Sequence, residues 1–213
     1  MKDSLYVWKY KQIGETIVSN LNEKKHSAHL LEKKDDVVPF LKKLIKEGPK
    51  VTVGGSLTLD ECDVLKFLSE GNFSFVNRYN AKTDEEKRSA FLAAFESDYF
   101  FCSANAITID GKIVQLDGNG TRVAPMIWGP KNVVIIAGMN KIVPDLSCAD
   151  ERIKFISPMN AKRLNAKTPC TRIGECIDCE SKDRICIHKT IIETGVRHPG
   201  RFIILLVAEN LGL

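Results

Sequence analysis

The stretch Lys50-Val51-Thr52-Val53-Gly54-Gly55-Ser56-Leu57-Thr58-Leu59 decides the fold. Val51 to Val53 is a β-branched run that suits a pleated strand. Gly54-Gly55 breaks it, and Ser56 or Thr58 stands where a helix N-cap accepts a free backbone N–H. Leu59, Val64, Leu65 and Leu68 follow at helical spacing, so the chain runs strand, turn, helix. The loop lacks the Gly-Lys-Ser/Thr of a Walker A motif and the spacing of a G-x-G-x-x-G fingerprint.

The same alternation extends in both directions. Downstream, Phe73 to Val76 reads as a strand, Asp84 to Phe95 as a helix, and Tyr99 to Cys102 as a strand. Lys112 to Leu116 is a further strand, and Val123 to Trp128 an apolar piece. Val133 to Ala137 and Phe202 to Val207 are apolar enough for strands buried on both faces. A helix is expected from Asp145 to Ile156. Upstream, Leu5, Trp8, Ile13, Ile17 and Leu21 predict an amphipathic helix over 5–25. Ala28 to Leu31 reads as an edge strand, and Asp36 to Gly48 as a second helix. His26 and His29 read as packing or surface residues, since no second ligand type stands near them. Strands alternating with helices predict one α/β domain with a largely parallel sheet covered on both faces. Residues 1–50 form its N-terminal helical part, and 51–213 its core.

Composition bounds the function. With 213 residues, 44% hydrophobic and 27% charged, the chain can bury a full core. A net charge of +4, with both signs interspersed, argues against a nucleic-acid surface. Met1 to Tyr10 has charges and no apolar run, and no segment has the eighteen apolar residues of a membrane span. These features lead to the expectation of a cytoplasmic protein; the sequence leaves a homo-oligomer open.

In open α/β sheets, ligands collect at the carboxyl ends of strands, and four loops here fall at such ends. They are Val53-Gly54-Gly55-Ser56-Leu57-Thr58, Ser103-Ala104-Asn105-Ala106, Asp117-Gly118-Asn119-Gly120-Thr121-Arg122, and Gly138-Met139-Asn140-Lys141. Each loop has a ready structural reading: a capped turn, a hairpin, a surface cation. Together they place glycines, amides and the cations Arg122 and Lys141 where a small anion would sit, with Asp117 as the candidate acid or base.

Four of the seven cysteines fall between Cys170 and Cys186. Cys176-x-x-Cys179 is flanked by Cys170 and Cys186 at spacings that let a loop gather four sulfurs at one centre. Zinc and an iron–sulfur cluster both accept four thiolates, and a reducing cytosol disfavours disulfides. Zinc is slightly favoured for an isolated protein. The stretch, bounded at 168–188, reads as an insertion before the last strand. Cys62, Cys102 and Cys148 read as small buried residues.

Several of these stretches jointly resemble the LUD-domain (lactate-utilisation) family, formerly a domain of unknown function. They are V-G-G-S-L-T at 53–58, S-A-N-A-I-T at 103–108, D-G-N-G-T-R-V-A at 117–124 and G-M-N-K-I-V-P-D-L at 138–146. N-A-K-R-L-N at 160–165 and the cysteine pattern at 168–186 complete the set, and the cysteine tail is similar to the family's short stand-alone branch. The resemblance implies a Rossmann-like sheet of the NagB/RpiA/CoA-transferase type, with a pocket over the glycine loop. It implies a link to lactate oxidation, in which a LUD protein works with iron–sulfur subunits. Two functions fit: an enzyme or enzyme subunit acting on a small hydroxy or keto acid or a phosphorylated ligand, and a metal-bearing accessory, electron-transfer or sensing module without its own catalysis.

Overall fold

The computed structural model describes residues 2–46 and 48–213, and side chains from residue 5 onward, Glu47 excepted. The readings at Met1 and Glu47 lie outside the described residues. The strands are β1 (Ser27–Leu31), β2 (Lys50–Val53), β3 (Ser74–Val76), β4 (Tyr99–Cys102), β5 (Ala106–Thr108), β6 (Ile113–Asp117), β7 (Asn132–Gly138), β8 (Ile142–Val143), β9 (His188–Ile192) and β10 (Phe202–Val207). The α-helices are α1 (Lys2–Glu23), α2 (Val37–Leu44), α3 (Leu57–Glu61), α4 (Val64–Glu70), α5 (Asp84–Ala93), α6 (Val123–Ile127), α7 (Leu146–Arg163) and α8 (Cys170–Ile173).

Six strands form one sheet in the order β1-β10-β7-β4-β2-β3, with every pairing parallel. The period-2 alternation along β10 shows why both faces are covered. Phe202, Ile204 and Leu206 point into a core shared with Ile17 and Leu21 of α1, and Ile203, Leu205 and Val207 into one shared with Val37 and Leu41 of α2 and Leu59 of α3. The protein is thus an α/β fold with a mainly parallel sheet and helices on both faces. The edge strand β1 comes from the first fifty residues, which therefore belong to the main sheet. The stripe on α1 buries only its second half. Ile17 and Leu21 are fully enclosed, whereas Leu5 and Trp8 are exposed.

A second sheet, β8-β5-β6-β9, departs from the sequence reading. β5, β8 and β9 are two to five residues long and were not expected; β5 begins at Ala106, where the loop read from Ser103 ends. Strands this short carry almost no periodic signal and form because neighbours supply their hydrogen bonds. Ile107 and Ile113 pack this sheet on the main one, and Val114, Ala149 and Ile153 pack it beneath α7. The cysteine stretch therefore precedes β9, which pairs antiparallel with β6, rather than the last strand β10.

Three helices also differ from expectation. The helix expected over 58–68 breaks at Asp63, which is left-handed with φ of 55°. Val123 to Ile127 is a helical turn. α7 continues past Ile156 through Pro158 to Arg163 and so delivers Ser157, Asn160 and Arg163 to one face. Its N-cap is Asp145, whose carboxylate accepts the Cys148 N–H at 2.9 Å.

Candidate functional site: a cationic cleft beside a cysteine-walled cavity

β2, β4 and β7 are consecutive neighbours in a parallel sheet, so the loops at their carboxyl ends emerge side by side. They wall a cleft of about 320 Å³ together with the end of β6, the carboxyl half of α7 and part of the cysteine stretch. Of the expected ligand-binding residues, Gly55, Ser56, Asn105, Asn119, Arg122 and Lys141 line it, as does Asp117. Gly54, Gly120 and Asn140 do not.

Those three act from behind. A Cβ on Gly54 would lie 3.2 Å from Phe100 and 3.3 Å from the Arg122 stem, so the missing side chain lets that arginine cross the end of β2. Gly120 has φ of 74° in the turn that closes on Asp117. Asn140 is committed to the C-terminal segment: its Oδ1 accepts the Leu211 N–H at 3.0 Å, and its Nδ2 donates to the Leu211 carbonyl at 3.3 Å. Ser56 caps α3, accepting the Leu59 N–H at 3.3 Å.

Arg122 is fixed across the cleft by two hydrogen bonds from one guanidinium nitrogen. Its Nη2 donates to Asn105 Oδ1 at 2.9 Å and to the Leu116 carbonyl at 2.8 Å. Asn105 Oδ1 also accepts the Leu116 N–H at 2.9 Å, so the amide is itself held. Asp117 accepts the backbone N–H of Gly120 at 3.1 Å through one oxygen and that of Arg122 at 3.0 Å through the other. The carboxylate sits 3.9 Å from Arg122 Nε, an ion pair without a hydrogen bond. Nε is buried with no partner among the described residues, as is Nη2 of Arg152, whose own Nε donates to the Asn105 carbonyl at 3.1 Å. Burial pulls the Arg122 guanidinium below the ordinary arginine range, partly offset by Asp117.

Lys141 is only 4% exposed, and its one hydrogen-bond partner among the described residues is Ser103 Oγ at 3.1 Å. Desolvation, with the nearby Arg152 and Arg122 charges, lowers its amine from about 10.5 to about 7. A buried lysine is usually ion-paired. Here a hydroxyl takes the place of a carboxylate.

Arg78, Arg163 and Arg184 also face the cleft, so among the described residues five basic side chains line it with one acidic side chain, Asp117. Arg184 is paired with Asp178 at 2.7 Å and Arg122 with Asp117 at 3.9 Å, which leaves Arg78, Lys141 and Arg163 to carry the excess positive potential. Arg78 had no readable signal: it enters on a 3₁₀ turn after β3 and stacks on Phe91, with its guanidinium carbon 4.7 Å from the ring centroid. Arg152 was hidden in a helix whose surface pattern gives no hint that one guanidinium turns inward.

All four cysteines of the 170–186 stretch line one adjoining cavity of about 310 Å³, and all are free thiols. Cys170 Sγ lies 3.1 Å from Thr168 Oγ1, and Cys186 Sγ 3.7 Å from Ser157 Oγ. Arg184 ties the stretch together, donating to the Cys179 carbonyl at 2.6 Å and the Cys186 carbonyl at 2.8 Å. Among the described residues no three His, Cys, Asp or Glu side chains converge closely enough to hold a single metal ion. Leu116, Ile153, Ser157, Arg184, Ile185 and Cys186 border both spaces, so cleft and cavity share a wall. Cys62 and Cys102 are buried elsewhere, and burial pushes each thiol up to about 12; Cys148 is half-buried.

The LUD domain model matches residues 14–207, which include every strand and each of the site residues expected from the sequence. The chain belongs to the LUD-domain family. A crystal structure of a DUF162 family protein from Deinococcus radiodurans superposes on this LUD-domain chain with a TM-score of 0.55 at 11% identity, over 93% of this chain and 97% of that one. At that identity the likeness is one of fold. eIF2B beta from Chaetomium thermophilum matches over 53% of this chain and 39% of its own, at 15% identity and a TM-score of 0.38. No curated protein matches the chain. Among the described residues of this LUD-domain protein, no helix is long and apolar enough to cross a membrane.

Proposed function

We propose that this LUD-domain protein is a lactate-utilisation-type protein whose cleft binds a small carboxylate or phosphate anion, of the hydroxy-acid, keto-acid or phosphorylated class. The observation that carries the reading is the Nε–H of Arg122, which has no hydrogen-bond acceptor among the described residues and belongs to a side chain that lines the same cleft as the buried amine of Lys141. A buried guanidinium N–H without an acceptor costs stability unless a ligand oxygen fills it. A carboxylate or phosphate oxygen supplies that acceptor and the charge that Lys141 lacks. Asp117 then acts by positioning, since both its oxygens already hold the turn that carries Arg122. Lys141 is the group suited to proton transfer, because an amine lowered to about 7 exists in both protonation states near neutrality.

The cysteine stretch belongs to the same proposal as a thiolate metal site, since its four free sulfurs wall one cavity. Its shared wall with the cleft favours a protein in which metal and ligand sense each other, and that observation keeps the accessory or electron-transfer reading beside the enzymatic one.

Calorimetric titration with lactate, pyruvate, inorganic phosphate and a sugar phosphate tests the cleft. One of these is expected to bind, and Arg122→Ala, folded by circular dichroism, to weaken it by about ten- to a hundredfold, the worth of a charge-assisted hydrogen bond. Equal affinity in the variant removes the cleft as the binding site.

A further inference from the structure

We propose that Lys141 is a nucleophile whose Nζ condenses with the carbonyl carbon of a small α-keto acid to form an imine, while Arg122 holds that acid's carboxylate. The inference rests on the anion reading of the cleft and narrows its ligand to the keto-acid class. Beside proton transfer, it gives the buried amine a covalent role.

Lys141 closes the 3₁₀ turn Met139–Lys141 that follows β7, and its side chain lines the cleft although it is almost wholly buried. One hydrogen bond among the described residues, to Ser103 Oγ at 3.1 Å, holds the amine. Thr58 Oγ1 lies 3.5 Å from the same Oγ, so a pair of hydroxyls stands where a structural lysine would meet a carboxylate. Gly212 covers the amine closely: a Cβ there would lie 3.4 Å from Nζ and 2.5 Å from Thr58 Oγ1. Glu61 and Cys62 act on the amine only through space, and burial with the Arg152 and Arg122 charges outweighs them. That balance favours the neutral amine, whose lone pair is the nucleophile of a Schiff-base lysine.

The same loop places the carboxylate's partner. Ser103, which holds Lys141, stands two residues before Asn105, which holds Arg122 Nη2 at 2.9 Å. The Arg122 charge reaches far enough to help lower the amine. Arg122 Nε–H lacks an acceptor among the described residues, and a carboxylate oxygen supplies one. An α-keto acid carries its carboxylate and its electrophilic carbonyl on adjacent carbons, so the group that satisfies Arg122 brings the carbonyl with it. A hydroxy acid or inorganic phosphate offers no such carbon. In the condensation, Nζ bonds to the carbonyl carbon, the bond from that carbon to oxygen breaks, and the oxygen leaves as water with the two amine protons. Hydrolysis reverses the step, and no oxidant, reductant or metal is consumed.

The test treats the full chain near neutral pH with pyruvate and sodium cyanoborohydride, which reduces an imine to a stable secondary amine. The expected product has gained one pyruvic acid less one oxygen atom by intact mass, and peptide mapping puts the gain on Lys141. An ordinary lysine amine is neutral in roughly one molecule in two thousand at pH 7, so labelling of Lys141 should exceed that of exposed lysines by about tenfold or more. Lactate in place of pyruvate should give no adduct, and Lys141→Met should lose it. Arg122→Ala should lower the yield at limiting pyruvate by about tenfold, the worth of a charge-assisted hydrogen bond. Labelling spread evenly over surface lysines overturns the proposal, and labelling of Lys141 that ignores Arg122→Ala overturns the carboxylate assignment. Calorimetric titration of the same preparation separates this inference from the anion reading. Pyruvate that binds without an adduct overturns the imine and leaves the anion cleft standing, whereas neither binding nor adduct overturns both for keto acids. If Lys141→Met fails to fold, the wild-type peptide map decides the point.

Discussion

Replacing Lys141 by Met should stabilise the protein while abolishing its ligand affinity. The amine is 4% exposed and is lowered from 10.5 to about 7. At about 1.4 kcal/mol per pKa unit, keeping it in the fold costs up to about 5 kcal/mol wherever the unfolded chain carries the proton and the folded chain resists it. Relaxation and water entry reduce this, and Met forfeits the bond to Ser103, about 1 kcal/mol, leaving a net gain of roughly 2 kcal/mol. For a chain of this size that raises Tm by roughly 4–8 °C. The sign with pH follows from the direction of the shift. Between about 7 and 10.5 the unfolded state binds more protons than the folded one, so wild-type stability rises with pH across that window. Below it the full cost persists, and above it the cost vanishes. Urea melts at pH 6, 8 and 10 should therefore show Lys141→Met more stable than wild type, by a margin that shrinks as pH rises. A variant less stable at pH 6, or a margin independent of pH, would refute the idea of an amine held at a cost for binding.

Other perturbations give equally definite outcomes. His26 is buried edge-on against Phe202 with both ring nitrogens unpartnered among the described residues, and desolvation lowers it to about 4. Its folded pKa lies below the unfolded 6.5, so stability is lost as pH falls through that window, by about 3 kcal/mol at most. His26→Leu should flatten the acid limb of a Tm-against-pH curve, and an unchanged limb would clear His26 of the effect. Gly138→Ala should cost at least about 3 kcal/mol, because its Cβ would meet the Leu211 backbone nitrogen at 2.5 Å and the Glu209 carbonyl at 2.6 Å, where neither neighbour is free to yield. Thermal melts read the outcome, and a wild-type Tm would mean the C-terminal segment can shift. Gly54→Ala crowds Phe100 and the Arg122 stem at 3.2–3.3 Å, and should lower anion affinity more than stability when binding and Tm are measured on the same sample.

The central sheet was readable because β7 and β10 are apolar on both faces, and its shorter strands are β-branched or aromatic runs set off by turns and helices. Val51–Val53 and Phe202–Val207 announce themselves by composition alone. Of the second sheet only β6 was readable, since β5 and β8 have three and two residues and are specified by their partners. The site divides the same way. The glycine, amide and cation loops could be seen because parallel neighbours bring their carboxyl ends together. What each residue does there could not. Asn140 carries the same residue type as Asn105, yet one ties down the C-terminal segment and the other orients Arg122. Asp117 drew attention as a carboxylate among glycines, and the structure gives its oxygens to backbone N–H groups. Lys141 read as one more cation, because burial, the property that changes its chemistry, is set by residues far away in sequence.

The most direct measurement of the central claim is a crystal structure grown with the tightest-binding anion from the titration. The account expects an anion oxygen within hydrogen-bonding distance of both Arg122 Nε and Lys141 Nζ, with the Arg122–Asn105 contact unchanged. An anion held elsewhere, with Arg122 Nε still unpartnered, would contradict it.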